Sequence, residues 1–215
     1  MSKARLKVSL LLLAFLATGS IQGQDKNYES ALYPLQVGAT WTYRVTEKDT
    51  KNEQRVTVKV EKIETLEVDG KKVTAARLEV RSGDRKLSEH VGVLADGIYR
   101  FSSADKTITP ALCFLKLGIE KGGQSWQVDC TTDGTKLKGA FNVGKDMVTV
   151  PYFKNQKRDT ITSTCADFQV GTSKMSVTYW FADKIGIVKQ HVVVGNFDQL
   201  LELVEYQPGM SEKGK

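Results

Sequence analysis

What constrains this chain most is an alternation of apolar and polar residues with period two, broken every eight to fifteen residues by Gly, Asp or Asn. Successive side chains of a strand point to opposite faces, so the alternation describes a wall with one apolar face, and the short breaks join neighbouring antiparallel strands. The stretch 40–46 sets the pattern, with Trp41, Tyr43 and Val45 on one face and Thr42, Arg44 and Thr46 on the other. A long stretch over 54–68 places Val56, Val58 and Val60 together, then slips in phase through Ile63 before Leu66 and Val68 resume, which predicts a bulge or sharp bend. Asp69-Gly70, Ser82-Gly83-Asp84 and Ala95-Asp96-Gly97 supply turns between strands over 73–81, 86–94 and 98–102. The pattern continues over 125–131, 136–143, 146–153, 159–170, 174–182, 185–194 and 200–206, giving eleven or twelve strands.

Helix has little room. The stretch 108–118, with Ala111, Leu112, Phe114, Leu115 and Leu117 after Pro110, reads as a short helical turn covering an open end of the sheet or as a buried extended linker. So many strands with so little helix predict an all-β domain, a single curved antiparallel sheet with meander connections forming a barrel or half-barrel.

The N-terminus is of another kind. Lys3, Arg5 and Lys7 precede an apolar run from Val8 to about Gly19, followed by small and polar residues to Gly23. This order is that of a secretory signal peptide over 1–23, and a run of roughly a dozen residues is short of the ~20 that span a bilayer. No cysteine for lipid attachment follows the run, the first being Cys113. The expected organisation is therefore a leader over 1–23, one β-domain over 24–206 and a flexible tail over 207–215, exported to the periplasm or the medium without a transmembrane anchor. Without the leader the formal charge falls from +6 to +3, with the remaining 28 basic and 25 acidic residues interspersed. That distribution lacks the basic patch of a nucleic-acid binder.

Export implies an oxidising compartment, in which Cys113, Cys130 and Cys165 allow three single bridges or three buried thiols. Cys113 with Cys130 is the favoured pair, both lying in one chain segment, and Cys130 shares a face with Trp126 and Val128. Catalytic chemistry finds no support: there is no nucleophile elbow, phosphate-cradling glycine loop, His-Glu-x-x-His or paired-cysteine metal site. The Asp-Gly pairs lack the ligand spacing of a calcium loop, and His90 and His191 have no partner at a catalytic spacing. No enzyme activity, cofactor or metal is expected.

A faint internal repeat links Tyr33-Pro34-Leu35-Gln36-Val37-Gly38-Ala39-Thr40-Trp41 with Leu117-Gly118-Ile119-Glu120-Lys121-Gly122-Gly123-Gln124-Ser125-Trp126, each an apolar approach, a glycine turn and a tryptophan that opens a strand. A duplicated half-sheet and convergent turn chemistry both account for it.

The opening Tyr33-Pro34-Leu35-Gln36-Val37-Gly38-Ala39-Thr40-Trp41-Thr42-Tyr43 resembles the YPLxxGxxWxY start of exported bacterial DUF3108-like proteins. Val148-Thr149-Val150-Pro151 is similar to their VxVPAG step, and Tyr179-Trp180-Phe181-Ala182-Asp183-Lys184-Ile185-Gly186-Ile187-Val188-Lys189-Gln190 to their WYAxGVGLVK signature. The chain departs from that pattern at Tyr152-Phe153, where an Ala-Gly turn is usual, and at Lys184-Ile185, where Gly-Val is usual. The resemblance spans about 31–206 and implies no catalytic residues; by analogy of fold it suggests a lipid or other hydrophobic ligand. A concave apolar face needs either its own side chains or a ligand to exclude water. Trp41, Tyr43, Trp126, Phe141, Tyr179 and Phe181 are the candidates to line it, or else they fill the core. Trp180, on the opposite face, marks a second layer or an exposed partner patch. The alternative function is an extracytoplasmic interaction or scaffold module that binds through the outer surface of its sheet.

Overall fold

The computed structural model describes residues 30–48, 53–118 and 123–210. The leader expected over 1–23 and the tail end 211–215 lie outside these residues. Twelve strands follow in order: β1 (Thr40–Glu47), β2 (Glu53–Val68), β3 (Lys71–Ser82), β4 (Arg85–Leu94), β5 (Gly97–Ser103), β6 (Lys106–Lys116), β7 (Ser125–Thr132), β8 (Thr135–Thr149), β9 (Lys157–Val170), β10 (Ser173–Ala182), β11 (Gly186–Val194) and β12 (Phe197–Gln207). Each pairs with its neighbours in sequence, and β1 pairs antiparallel with β12, Thr40 opposite Gln207, so the meander closes into a barrel. Closure gives every strand a partner on both sides, although β6 and β7 meet only at Ile108 with Thr132 and Thr109 with Thr131. Among the described residues the single helical element is a 3-10 turn, Pro151–Phe153, between β8 and β9.

Pairing register carries the apolar face around the wall. Val45, Leu201, Gln190, Tyr179, Ser163 and Val143 stand opposite one another in turn and face inward, as do Val60, Leu78, Glu89 and Ser103 on the other side. The outer face is charged: Arg44 pairs with Glu202 at 2.8 Å, and Lys189 lies over the outward indole of Trp180, 5.5 Å from its ring centre. A membrane-spanning barrel has an apolar outside and a polar inside; here the faces are reversed. No helix among the described residues is long and apolar enough to cross a membrane.

The phase slip expected near Ile63 falls two residues earlier, where β2 shifts register against β3 between Val60 and Lys62. Two expectations are corrected. The stretch 108–118 is neither helical turn nor linker but most of β6, in which Leu112, Cys113, Phe114 and Leu115 are all buried; a strand covered on both faces loses its alternation and reads as a continuous apolar run. The separate strands expected over 136–143 and 146–153 are one strand, β8, that runs through Gly144 and stops at Thr149, the end of the second range being the 3-10 turn Pro151–Phe153. That glycine serves close approach rather than a turn, since a Cβ there would stand 2.7 Å from Thr162 Oγ1 on β9.

The cysteines carry no bridge: Cys113, Cys130 and Cys165 are buried free thiols. Cys130 shares the buried face of β7 with Trp126 and Val128, as expected. Cys113 stands opposite Tyr99, and Tyr99 opposite Gly92, on the side of the wall away from Arg100 and Val91. The favoured pair thus faces opposite ways. Burial pushes the Cys113 and Cys130 thiols up to about 11, which leaves almost no thiolate at neutral pH.

The two ends of the barrel differ. One is formed by the tight hairpins that join β3 to β4, β5 to β6, β7 to β8, β9 to β10 and β11 to β12. The other is stopped by residues 30–39, whose Tyr33 and Leu35 are buried, and by the 3-10 turn. Of the tail expected over 207–215, the described part is held in place: Gln207 pairs in β12, and Met210 N–H donates to Val37 O at 3.0 Å, tying residues 208–210 to the stopped end.

Candidate functional site: a lumen plugged at one end

At the stopped end the core is aromatic. The Tyr33 ring lies 5.5 Å from Trp41, 6.5 Å from Phe114 and 6.4 Å from Phe181, while Phe114 packs on Tyr179 at 5.6 Å. Trp41 stacks at 5.5 Å on Tyr206, and Tyr206 meets Tyr152 of the 3-10 turn. Such tilted and offset pairs add to the area that the rings bury. The opening, middle and late motifs of the sequence therefore meet at this one end.

Their polar atoms complete the wall. β12 pairs with β11 only as far as Lys189 and Glu202, which leaves the start of β11 without a strand partner on that side. Trp41 Nε1 donates to Ile185 O at 2.6 Å and Tyr43 OH to Ile187 O at 2.8 Å, satisfying carbonyls that burial would otherwise penalise. Burial drives the Tyr43 phenol well above its ordinary range, so it remains a donor. A second gap lies between β6 and β7, which pair only at Ile108 with Thr132 and Thr109 with Thr131. Trp126 Nε1 donates to Cys113 O at 2.9 Å and Ser163 Oγ to Phe114 O at 2.5 Å across this region.

The six aromatic candidates are all buried, and the structure does not gather them into one surface. Trp41, Tyr179 and Phe181 belong to the plug cluster. Trp126 stacks on Phe141 at 5.7 Å, and Phe141 meets Phe168 at 5.8 Å, in a second cluster. Tyr43 is held by its bond to β11. Trp180 faces outward as expected, its Nε1 donating to Asp146 Oδ2 at 2.9 Å.

Sequence reasoning missed a polar node in the lumen. Arg100 on β5 faces inward with its guanidinium carbon 5.3 Å from the centre of the Phe114 ring. Its Nε is 3.2 Å from Glu89 Oε2 of β4, close enough for a charge pair but off the hydrogen-bond line. Burial works against the Arg100 charge, but Glu89 and then Tyr179 and Tyr33 outweigh it and raise its pKa. Burial also lifts the Tyr33 phenol above its ordinary range. Arg100 thus ties β4 and β5 to β10 across the barrel and to the plug. Alternation gave no signal for it, because a register shift between Arg100 and Ser102 disturbs the phase of β5.

The lumen is filled on one side of this node and accessible on the other. Trp41, Phe114 and Phe181 are 0% exposed, whereas the Arg100 and Glu89 side chains keep 20% and 21% of their surface. Toward the hairpins the inward-facing Val56, Val192, Leu201 and Met175 are only half-buried, and Leu87 and Phe197 at the rim are exposed. Two grooves lie elsewhere. One of about 540 Å³ runs over the outer wall by Trp180, His191 and Asp198, and one of about 740 Å³ lies by Leu32, Met147 and Asp159. Among the described residues no three His, Cys, Asp or Glu side chains cluster as a metal site.

Fold and site together define a closed antiparallel meander barrel with an aromatic plug at one end and inward-facing apolar residues that become less buried toward its hairpins. Compared by sequence, the chain matches no protein-family model and no curated protein. By structure it is similar to a protein described as a lipoprotein from Parabacteroides distasonis ATCC 8503, at 11% identity and a TM-score of 0.51, over 86% of this chain and 100% of that one. It also matches a protein described as exported, with a YmcC-like fold, from Bacteroides fragilis NCTC 9343, at 12% identity and a TM-score of 0.42, over 81% and 97% of the two chains. The first of these likenesses, at 11% identity, is one of fold alone, and the DUF3108-like resemblance rests on its three motifs alone.

Proposed function

We propose that this chain is an exported, non-catalytic binding protein that takes a lipid or other hydrophobic molecule into the open part of its lumen. The observation that carries this reading is the contrast along the lumen, sealed at the plug and accessible from Arg100 and Glu89 to an apolar mouth. An apolar concavity with a few convergent polar groups is the usual form of a small-molecule site. Export follows from the leader pattern over 1–23, and the charged outer wall suits a barrel surrounded by water.

The test is native mass spectrometry of protein purified from an exporting host, with organic extraction of bound material and titration with bacterial lipid extract. A wild-type adduct that is lost in Val56→Trp, which fills the mouth, is expected, with circular dichroism confirming the fold. Wild-type protein that carries nothing and whose melting temperature does not respond to lipid would overturn the reading. A second reading, a protein-interaction module, is favoured by the outward Met147, 56% exposed beside the larger groove. That reading expects Met147→Glu to abolish capture of a partner without altering lipid uptake.

A further inference from the structure

The lumen node specifies more than an apolar guest. Resting on the reading just given, we infer that the ligand is amphipathic, with an uncharged hydrogen-bonding head such as a glycerol ester at Arg100, Glu89 and Tyr179 and its hydrocarbon chain toward the hairpin mouth. Three observations lead there. First, Ser103 Oγ donates to Glu89 Oε1 at 3.2 Å, but Arg100 Nε has no hydrogen-bond partner and both side chains keep about a fifth of their surface; a hydrocarbon alone would shut that polar surface away from water without adding a donor or acceptor to it. Second, the apolar residues that remain accessible, Val56, Val192, Leu201 and Met175, lie on the mouth side of the node, so head and chain have separate places. Third, the node is already charge-neutral. Arg100 and Glu89 balance each other at 3.2 Å, and the surrounding groups are uncharged: the rings of Phe114, Tyr33 and Tyr179 and the Ser103 hydroxyl, which donates to Glu89.

An added carboxylate would compete with Glu89 for Arg100 and leave one of two anions unpaired in the lumen, which is unfavourable in a poorly solvated site. Hydroxyl and ester groups carry no such conflict: a hydroxyl can donate to Glu89 while a carbonyl accepts from Arg100. The site therefore discriminates by charge balance, through repulsion of the wrong head as much as attraction of the right one.

The experiment compares 1-monooleoylglycerol, oleate and 1-octadecene, one chain length with three heads, by native mass spectrometry and tryptophan fluorescence at pH 8 below their aggregation concentrations. The wild type should bind monooleoylglycerol at least tenfold more tightly than either of the others. Glu89→Gln keeps the shape and removes the anion, so it should reverse the preference, with oleate at least tenfold tighter than the ester. Oleate binding to wild type as tightly as the ester, or a Glu89→Gln protein that keeps the wild-type order, would overturn the inference while leaving the carrier reading intact. If none of the three binds folded wild type, the carrier reading itself fails. Should Glu89→Gln not fold, Tyr179→Phe takes its place: a three- to tenfold loss of ester affinity with unchanged octadecene binding is expected, and parallel loss of both would refute the assignment of the head to the node.

Discussion

The first six strands and the last six begin alike. Gly38 N–H donates to Val60 O and Val60 N–H returns to Ala39 O; in the same way Gly123 N–H donates to Val143 O and Val143 N–H returns to Gln124 O. Both glycines hold positive φ, 86° and 78°, and each is followed three residues later by a buried tryptophan whose indole N–H donates to a distant backbone carbonyl, Ile185 O in the turn before β11 for Trp41 and Cys113 O of β6 for Trp126. The halves then part. Trp41 reaches past β12 to the turn before β11, supported by Tyr43 and surrounded by plug rings, whereas Trp126 reaches the adjacent β6 and stacks on one ring, Phe141. The difference teaches that hydrogen bonds between strands need not run unbroken around the wall: where strands splay, indole and hydroxyl donors take the carbonyls that a neighbour leaves open.

If the first joint does more for the fold, its tryptophan should be the costlier to lose. Truncating a buried tryptophan costs about 3–5 kcal/mol. Trp41→Ala should fall at the upper end of that range, since Trp41 is 0% exposed, and Trp126→Ala, at 8%, at the lower end. Urea unfolding of both variants measures this, and an equal or larger loss for Trp126→Ala would break the comparison. The hydroxyl donors sharpen it. Tyr43→Phe and Ser163→Ala each leave one buried carbonyl, Ile187 O or Phe114 O, without its donor, at a cost of about 1–3 kcal/mol. Near-equal values are expected, and a Tyr43→Phe protein as stable as wild type would mean that Ile187 O finds water instead.

The two glycines test the shared opening rather than its divergence. Nothing lies within 4 Å of a Cβ built on Gly38 or Gly123, so an alanine there meets only backbone strain, roughly 1–2 kcal/mol in the left-handed region. Gly38→Ala and Gly123→Ala should therefore cost the same within error. Unequal losses would show that the two turns are alike in hydrogen bonding but not in conformational demand.

Alternation and turn residues make most of this fold legible, because a half-buried strand reports its inner face residue by residue, as 40–46 does. Legibility ends where a strand is covered on both faces, as β6 is at Leu112 to Leu115, or where a glycine inside a strand imitates a turn, as Gly144 does. The expected eleven or twelve strands match the observed twelve in number only through two offsetting differences, β8 read as two and β6 read as none. For the site, the aromatic residues could be named from the sequence, since a tryptophan that opens an apolar face is bound to be buried. Which rings meet across the barrel depends on closure and stagger, which no local pattern encodes. Arg100 was hidden for a related reason: the register shift beside it turns inward a residue whose charge reads as solvent-facing.

The smallest expected difference between the halves lies in their outer charges. On β3 Glu79 is 5% exposed beneath the flexible cations Arg81 and Lys86, whose hydrogen bonds hold its carboxyl down to about 2 from an ordinary 4.5. On β7 Asp129 pairs with Lys138 at 2.8 Å, but both side chains stand largely in water, where such pairs contribute little. A carboxylate whose pKa is depressed by folding stabilises the native state above its unfolded pKa and loses that contribution as pH falls toward the folded value. Wild type should therefore melt above Glu79→Gln at pH 6, the gap should narrow below pH 4.5, and it should vanish near pH 2. Asp129→Asn should leave the melting temperature unchanged from pH 6 to pH 3. Scanning calorimetry across that range decides between them: a gap for Asp129→Asn as large as that for Glu79→Gln would show that acid acts on both halves alike, and a Glu79→Gln gap that widens toward pH 2 would show that the buried carboxylate destabilises the barrel.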